Sequence, residues 1–532
     1  MNTLMAVIQL ILVPVQVPSD SGCIETPQPN VLTEETFAYL TNLSMLEHAT
    51  TEQPWFDLYV SSEETGHYPL GDNANSGEDP SEPLRNFYGI QSRLDSLTDR
   101  CGIRINLDWA DSFSGSNVRS IAFHPTCTDP QNLGIWLRSS LPGTQVQVDC
   151  TNWGGFSALF AFRDNAGLDG GWSAVENVNV AWCDEDLFSA PSGTKSHGLV
   201  LNSGGVVSGP HQILTSHSAG SGFGNEIVAI NSYGTASGGI PIQPGSYGKI
   251  TAIGRGTFSS SGPSLYANHG TINVVGHFFN DGPEPPGDTD RRLLSHRLAS
   301  STSGHGLDLM LVNVGARTES NSKNPALRAQ NSGCLASGAF TNAKLFKVTT
   351  SGWHQGYGGF ALNSCDQNTA QIEAGCVDIS DNEKMFILSP GMTPANLDID
   401  MRNSIWDDEP GGGSSWSYDG VEYATREEFV AASGNLFTNV MGDSSSQESA
   451  GPGVDGNSFS DALDPSVVLP GNGTNRDSIE ILADPSKEAY GLCTTRFTNV
   501  LDPAVPAIVS RWGVAIDTVD MNRCGTSNIG YQ

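Results

Sequence analysis

Positively charged residues are scarce in this 532-residue chain. It has 26 Lys and Arg against 58 Asp and Glu, which gives a formal net charge of −32 at pH 7. Binding of a nucleic-acid backbone needs Lys and Arg to displace counterions, so the composition argues against a nucleic-acid partner. Charged residues of both signs make up only 16% of the chain. Long surface helices and coiled coils need charged faces, so neither is expected here.

Several short motifs of known chemistry are missing from the sequence. No Cys-x-x-Cys pair occurs, which argues against a zinc ribbon or an attached haem. The phosphate-binding glycine loop, the Gly-x-Ser-x-Gly turn and the His-Glu-x-x-His helix are also absent. These absences lower the expectation of a nucleotide-binding protein, a serine hydrolase or a zinc protease.

Long apolar runs are missing after the first residues. Residues 4–13 are almost wholly apolar, a length that suits a signal peptide and is too short to span a bilayer comfortably. We therefore expect residues 1–22 to direct export, with an ordinary first strand as the alternative. The protein would then be secreted or held at the cell surface. No transmembrane segment is expected beyond this run.

The ten cysteines are an even number, which is typical of disulfides in an exported protein. Proximity suggests two pairs, Cys365 with Cys376 and Cys493 with Cys524. Free, buried thiols are the alternative.

Glycine is abundant, with 60 residues, and short β-rich segments bounded by Gly, Ser or Asn recur between residues 110 and 408. Apolar residues that we expect to face inward return about every 20–30 positions. These anchors are Val178, Leu199, Ile227, Ile250 and Ile272. One such unit cannot bury its apolar face alone, but stacked units can. The pattern predicts a solenoid of roughly 13 coils, with a β-sandwich as the alternative.

The sequence pattern changes at the N-terminal end of this region and also within it. Residues 56–109 read as a strand, a Gly/Asn/Asp turn, a short helix and a second strand, with Ser81 as the expected N-cap and Pro83 in the first turn. An amphipathic helix is predicted at residues 33–48. Residues 281–303 interrupt the repeat, so we expect an excursion from one coil there.

The run FDLYVSS…GDNANSGEDPSEPLRNFYGIQSRLDSL…IRINLDW resembles the N-terminal cap of the parallel β-helix proteins of the pectate-lyase-like superfamily. The segment YDGVEYATREEFVAASGNLFTNV and the ending AIDTVDMNRCGTSNIGYQ resemble the C-terminal module of secreted bacterial members. Asn86 stands where that family has Thr or Ser. The resemblance implies an all-β fold, a right-handed single-stranded parallel β-helix with an N-terminal capping helix and a small C-terminal tail.

These observations divide the chain into four parts. After the export segment 1–22, residues 23–109 would hold the N-terminal helix and the cap of the β-helix. Residues 110–408 would form the β-helix itself. Residues 409–532 would form the C-terminal module and a disulfide-held tail.

A polysaccharide lyase of this fold would need Ca²⁺ to neutralise a uronate and a base to take its C5 proton. The densest acid cluster is Asp184-Glu185-Asp186, and with Asp164 it forms the candidate calcium site. Three residues are the candidate catalytic groups: Lys195, His197 and Arg255. The alternatives are a solvated acidic loop and ordinary surface ion pairs.

A hydrolase is a weaker hypothesis. Gly304-His305-Gly306 matches one short motif of pectin hydrolases, but the companion motifs are absent, and His-Gly can also mark a coil corner. Aromatic residues at turns could stack on sugar rings, although aromatics more often pack inside coils. These residues are Trp153, Trp172, Trp182, Tyr233 and Trp353.

The sequence therefore predicts an exported β-helix protein that binds or cleaves a polysaccharide or cell-surface glycan, and binding and cleavage both stay open. The alternative is a non-catalytic adhesin, scaffold or filament protein that associates with itself through the same rod. A compact cluster of acids and cations near residues 164–197 would distinguish the two.

Overall fold

In a computed structural model the chain folds as a parallel β-helix. The structure describes residues 55–438, with gaps that fall mainly between strands. The longer gaps are 124–133, 163–171, 217–224, 281–291, 318–326, 332–339, 352–359, 376–385, 389–396 and 403–415. The predicted export segment, the predicted helix at 33–48, the tail and both predicted disulfide pairs lie outside the described residues.

The described strands form three walls. Sheet 1 contains β1 (Phe56–Val60), β2 (Ile103–Leu107), β5 (Ile135–Ser139), β8 (Trp172–Glu176), β11 (His197–Leu201), β14 (Glu226–Ile230), β17 (Lys249–Ser260), β19 (Gly270–Asn280), β21 (Gly306–Arg317), β23 (Phe340–Ser351), β25 (Thr369–Gly375), β27 (Leu397–Arg402) and β30 (Phe437–Thr438). Sheet 2 contains β3 (Ser112–Ser114), β6 (Val146–Asp149), β9 (Val178–Cys183), β12 (Gly204–Ser208), β15 (Tyr233–Ser237) and the end of β17.

Sheet 3 contains β4 (Ile121–Phe123), β7 (Phe160–Phe162), β10 (Phe188–Ala190), β13 (Leu214–Ser216), β16 (Ile242–Pro244), β18 (Pro263–Ala267), β20 (Arg292–Leu298), β22 (Leu327–Asn331), β24 (Phe360–Asn363), β26 (Phe386–Leu388), β28 (Trp416–Tyr418) and β29 (Val421–Tyr423). Each coil passes through the three walls in turn, and each strand pairs with the equivalent strand of the next coil. Only β28 and β29 pair antiparallel among the described strands.

Inward apolar side chains stack from coil to coil. Ile227, Ile250 and Ile272 are paired in register in sheet 1 and are fully buried. Alternation along each strand points the residues between them outward. These three predicted anchors are therefore confirmed as one column of the core.

The other two predicted anchors do not belong to that column, although Val178 does lie in the core. Val178 begins β9 and belongs to sheet 2. Leu199 pairs with Val228, whereas its neighbour Gly198 pairs with Ile227. Phe162 fills the space in front of Gly198, since a Cβ there would lie 2.4 Å from its ring. The column therefore passes through a glycine, which apolar periodicity alone does not mark.

The first coils are closed by a helix, α1 (Phe87–Ser96). Its buried Phe87 lies against Phe113 and Phe160, with ring centroids 5.3 and 6.2 Å apart. Phe160 in turn stacks on Phe188 at 5.6 Å. The predicted capping helix is thus confirmed, and it joins the aromatic stack of sheet 3.

The start of α1 differs from the prediction. Asn86 is the N-cap, and its side-chain oxygen accepts from the backbone N–H of Tyr88 and Gly89 at 3.0 and 3.2 Å. The predicted cap at Ser81 is wrong. An Asn oxygen caps as well as that of Ser or Thr, so the helix begins normally at this position.

The outer edge of β1 is already occupied. Tyr59 N–H donates to the carbonyl of Gly77, and its own carbonyl accepts from Leu84 N–H, both at 2.8 Å. Ser61 N–H donates to Leu84 at 2.8 Å. An unpaired edge is what allows strands of separate molecules to join. These bonds cover the outer edge of β1 at Tyr59 and Ser61.

Sheet pairing continues past residue 408. Strand β28 pairs with β26, and β30 pairs with β27. Between β28 and β30 lies α2 (Arg426–Ser433), within the segment TREEFVAASGNLF, whose pattern predicts a helix. The predicted excursion at 281–303 is wrong in part, because Arg292–Leu298 forms β20 of sheet 3.

Two buried carboxylates hold the loop that follows β1. Asp108 accepts from Tyr68 N–H at 2.6 Å, and Asp111 accepts from Ser62 N–H at 2.5 Å. Gly66 fits between them, since a Cβ there would lie 2.4 and 2.6 Å from their oxygens. Burial raises the pKa of Asp111 to about 6, and the charges of Asp108 and Glu63 add to the rise.

This raised pKa predicts an effect of pH on stability. The folded protein binds the Asp111 proton more tightly than the unfolded chain does. The free energy of unfolding therefore rises as pH falls through 6 towards 3.8. We expect Asp111→Asn, which imitates the protonated acid, to stabilise the protein at pH 7 by about 2 kcal/mol. Urea unfolding at pH 7 and pH 5 measures it. The exposed variant Glu82→Gln should change nothing, and an unchanged or lower stability of Asp111→Asn at pH 7 contradicts the assignment.

Candidate functional site

Polar amide side chains line the outer face of sheet 2. In β6 and β9, Val148 and Val180 face the core and are almost fully buried. The period of two in a strand therefore turns Gln147 and Asn179 outward. The two are paired in register, and Asn179 Nδ2 donates to Gln147 Oε1 at 2.6 Å.

Tyr233 in β15, two coils beyond β9, contacts the same amides. Its hydroxyl lies 2.8 Å from Asn179 Oδ1 and 3.3 Å from Gln145 Oε1. The intervening residue in register is Gly204, where a Cβ would lie only 2.0 Å from the Tyr233 carbonyl oxygen. Burial raises the pKa of Tyr233, so its hydroxyl stays protonated and donates. We call Gln145, Gln147, Asn179 and Tyr233 the amide row.

Trp182 stands on the same face, three residues beyond Asn179. Its side chain is 59% exposed, the largest fraction among the exposed large hydrophobic residues of the described chain. Its φ is +49°, a left-handed conformation that is costly for a bulky residue. The pairing of β9 with β12 shifts at this point, between Gly205 and Val207. A bulge of this kind re-aims a side chain out of the ladder.

The residue after Trp182 is fixed in the core. Cys183 is bonded to Cys150, which follows β6, and both are fully buried. This disulfide confirms that cysteines of the chain pair, although it was not one of the suggested pairs. It holds the end of β9 against the preceding coil, so the exposed ring of Trp182 has a rigid base.

The predicted acid cluster forms the turn that follows. Asp184 accepts a hydrogen bond from the Ser208 hydroxyl. Asp186 accepts from Gln212 N–H at 2.8 Å and lies 3.8 Å from Nδ1 of His211. Burial raises the pKa of Glu185. The charge of His211 opposes this rise, and the charges of Asp186 and Asp184 add to it. The acids therefore lie beside Trp182 and His211.

Of the three candidate catalytic groups, only the side chain of His197 is described, and it does not lie at this turn. His197 begins β11 in sheet 1, and the wall strand β10 separates it from Asp186 along the chain. Its neighbour in register is Glu226, which pairs with Lys249, with Nζ and Oε1 3.2 Å apart. Arg255 lies in β17, but its side chain is not among those described.

Lys195 and Asp164 lie outside the described residues, as does His305. Within the described residues, no group of three His, Cys, Asp or Glu side chains is arranged to hold a metal ion. The calcium site and the lyase chemistry therefore stay predictions. Of the five predicted sugar-stacking aromatics, Trp182 and Tyr233 lie on the outer face of sheet 2. Trp172 lies in sheet 1, and Trp153 and Trp353 are outside the described residues.

In the first coils, the Arg side chains on the outer face of sheet 1 are hydrogen-bonded to neighbouring side chains. Arg104 makes a two-pronged contact with Asp57 at 2.6 and 2.7 Å, and Arg138 donates to Asn106 at 2.9 Å. Burial alone would raise the pKa of Asp57. The hydrogen bonds from Arg104 and Asn106 outweigh burial, so the pKa lies below its usual value. Further along, outward residues such as Leu199 and Val228 are buried. Sheet 2 therefore offers the more accessible face.

Sequence reasoning missed the amides of the row. The segments VQVD and VNVA alternate apolar and polar residues, so their outward amides could have been found from the period of two. Comparison of the sequence with protein-family models, with curated proteins and with solved structures found no match. None of the described helices is long and apolar enough to cross a membrane.

Proposed function

We propose that this protein binds polysaccharide along the outer face of sheet 2. The observation that carries the proposal is the exposed ring of Trp182, held in a left-handed conformation on a bulge beside the amide row. A costly backbone conformation that exposes a large aromatic ring has no stabilising role in the core. Its use is a contact made outside the protein.

The chemistry of this face suits a sugar chain. An aromatic ring packs against the apolar C–H face of a sugar, and Tyr and Trp serve surfaces that are apolar at one side and wet at the other. Amides offer both donors and acceptors to hydroxyl groups. About 10 Å of strand separates Asn179 from Trp182, so an extended polymer can contact both.

We further propose that the protein is exported and is a distant member of the pectate-lyase-like superfamily. The motifs at both ends of the chain and the parallel β-helix support the superfamily. The Cys150–Cys183 bond supports an oxidising compartment, and so do the signal-like residues 1–22. A non-catalytic adhesin, scaffold or filament protein is the alternative.

Co-sedimentation with a panel of insoluble polysaccharides tests the proposal, with neutral, acidic and amino-sugar polymers compared side by side. We expect at least one polymer to retain the protein. Asn179→Ala should weaken that binding by roughly three- to ten-fold, because one or two hydrogen bonds to hydroxyls are lost. The matched amide variant Asn75→Ala, in the loop before α1, should bind normally. Retention by no polymer would refute the proposed function.

A further inference from the structure

The ionisable side chains around Trp182 are nearly all acids. Asp149 pairs in register with Ala181, the residue before Trp182. Asp184 and Glu185 follow Trp182 by two and three residues, so their Cα atoms lie within about 7 and 11 Å of it. Asp184 is exposed, and Asp149 and Glu185 are partly exposed. His211 of the next coil, beside Asp186, is the one basic group described near this turn.

The described Lys and Arg side chains lie on other parts of the rod. Arg104 and Arg138 are in sheet 1 with Asp57 and Asn106. Lys249 is in sheet 1 with Glu226. Arg93 is in α1 with Glu78, Arg85 precedes that helix, and Arg119 lies over the ring of Tyr88. On the described part of sheet 2, no ammonium or guanidinium group neutralises the acids near Trp182.

A sugar stacked on Trp182 would lie within one screening length, about 8 Å, of several carboxylates. An anionic sugar would be repelled there, and a neutral sugar would feel little net force. A sugar that carries an ammonium group would be attracted by the carboxylates and by the negative face of the indole ring. The mutual repulsion of the acids, which helps to raise the pKa of Glu185, would also be relieved.

We infer that the ligand of this face is a polymer of amino sugars that carry free ammonium groups, bound with Trp182 against the ring and with Asp184 and Glu185 near the charge. The inference rests on the proposed function, since it names the class of polysaccharide that the same face would take. It differs from the uronate polymer of the lyase hypothesis, because without a bound cation these acids give the face the wrong sign of charge for a uronate.

Isothermal titration with two oligosaccharides of equal length tests it, one of 2-amino-2-deoxyglucose and one of its N-acetylated form. At about pH 6 the primary amines are protonated. We expect the free-amine oligosaccharide to bind roughly ten-fold more tightly than the acetylated one, and the preference to shrink in high salt. The double variant Asp184→Asn/Glu185→Gln should lower the preference to about two-fold.

The control variant Glu64→Gln/Glu82→Gln removes the same number of charges at exposed positions near the N-terminal cap. It should keep the full preference, which separates a local effect from one of net charge. Equal binding of the two oligosaccharides through Trp182 would overturn this inference and leave the proposed function standing. If the protein binds neither oligosaccharide, the inference is overturned. The polysaccharide panel then shows separately whether the proposed function is also wrong.

Discussion

Trp182→Ala is expected to weaken polysaccharide binding by at least about 30-fold, or about 2 kcal/mol. The ring is the largest exposed apolar surface on the proposed face, and truncation removes the whole stacking contact. Stability should stay within about 0.5 kcal/mol of the wild type, because an exposed side chain is removed. Isothermal titration with the best polymer of the panel measures the affinity, and urea unfolding measures the stability.

Trp109→Ala is the matched control for this variant. Trp109 is also exposed, at 40%, but it lies in the turn after β2, at another corner of the rod. Its loss should leave binding unchanged. If Trp109→Ala weakens binding as much as Trp182→Ala does, the ligand does not select the outer face of sheet 2, and the proposed site is wrong.

Phe160→Ala is expected to destabilise the protein by about 3–5 kcal/mol. Phe160 is fully buried, and its ring lies between those of Phe188 and Phe123 and touches Phe87 of α1. Stacked coils cannot close over the space that the ring leaves, since each neighbour is held by its own ladder of hydrogen bonds. The variant should therefore also loosen the capping helix.

Urea unfolding followed by tryptophan fluorescence measures this loss. Leu141→Ala, at a position where the side chain is 42% exposed, is the surface control and should change stability by less than about 0.5 kcal/mol. A loss below about 1 kcal/mol for Phe160→Ala would contradict the stacked aromatic core of the first coils.

Much of the rod could be predicted because its strands obey simple alternation. β1 and β2 lie within the segments predicted as strands, and Ile227, Ile250 and Ile272 stack as expected. The corner between sheets 1 and 2 could not be placed from apolar spacing. Only Asn177 separates β8 from β9, and the apolar pattern runs on through it. The signal at that corner is the left-handed backbone of Asn177, at φ +56°, a conformation that Asn tolerates well.

The candidate site was predictable only in its parts. Trp182, Tyr233 and the acids from Asp184 to Asp186 were recognised by residue type. Their arrangement depends on pairings between distant residues: Trp182 is turned outward by a bulge against β12, and Cys183 is held by a cysteine 33 positions earlier. No local pattern specifies these contacts. The acids consequently meet His211 of the next coil instead of His197.

The most direct test of the account is a crystal structure of the protein with a bound oligosaccharide of the polymer that the panel selects. We expect a sugar ring over the indole of Trp182, with the sugar chain continuing across the amide row towards Tyr233. Sugar density along sheet 1, near His197 and Lys249, with the outer face of sheet 2 empty, would contradict it.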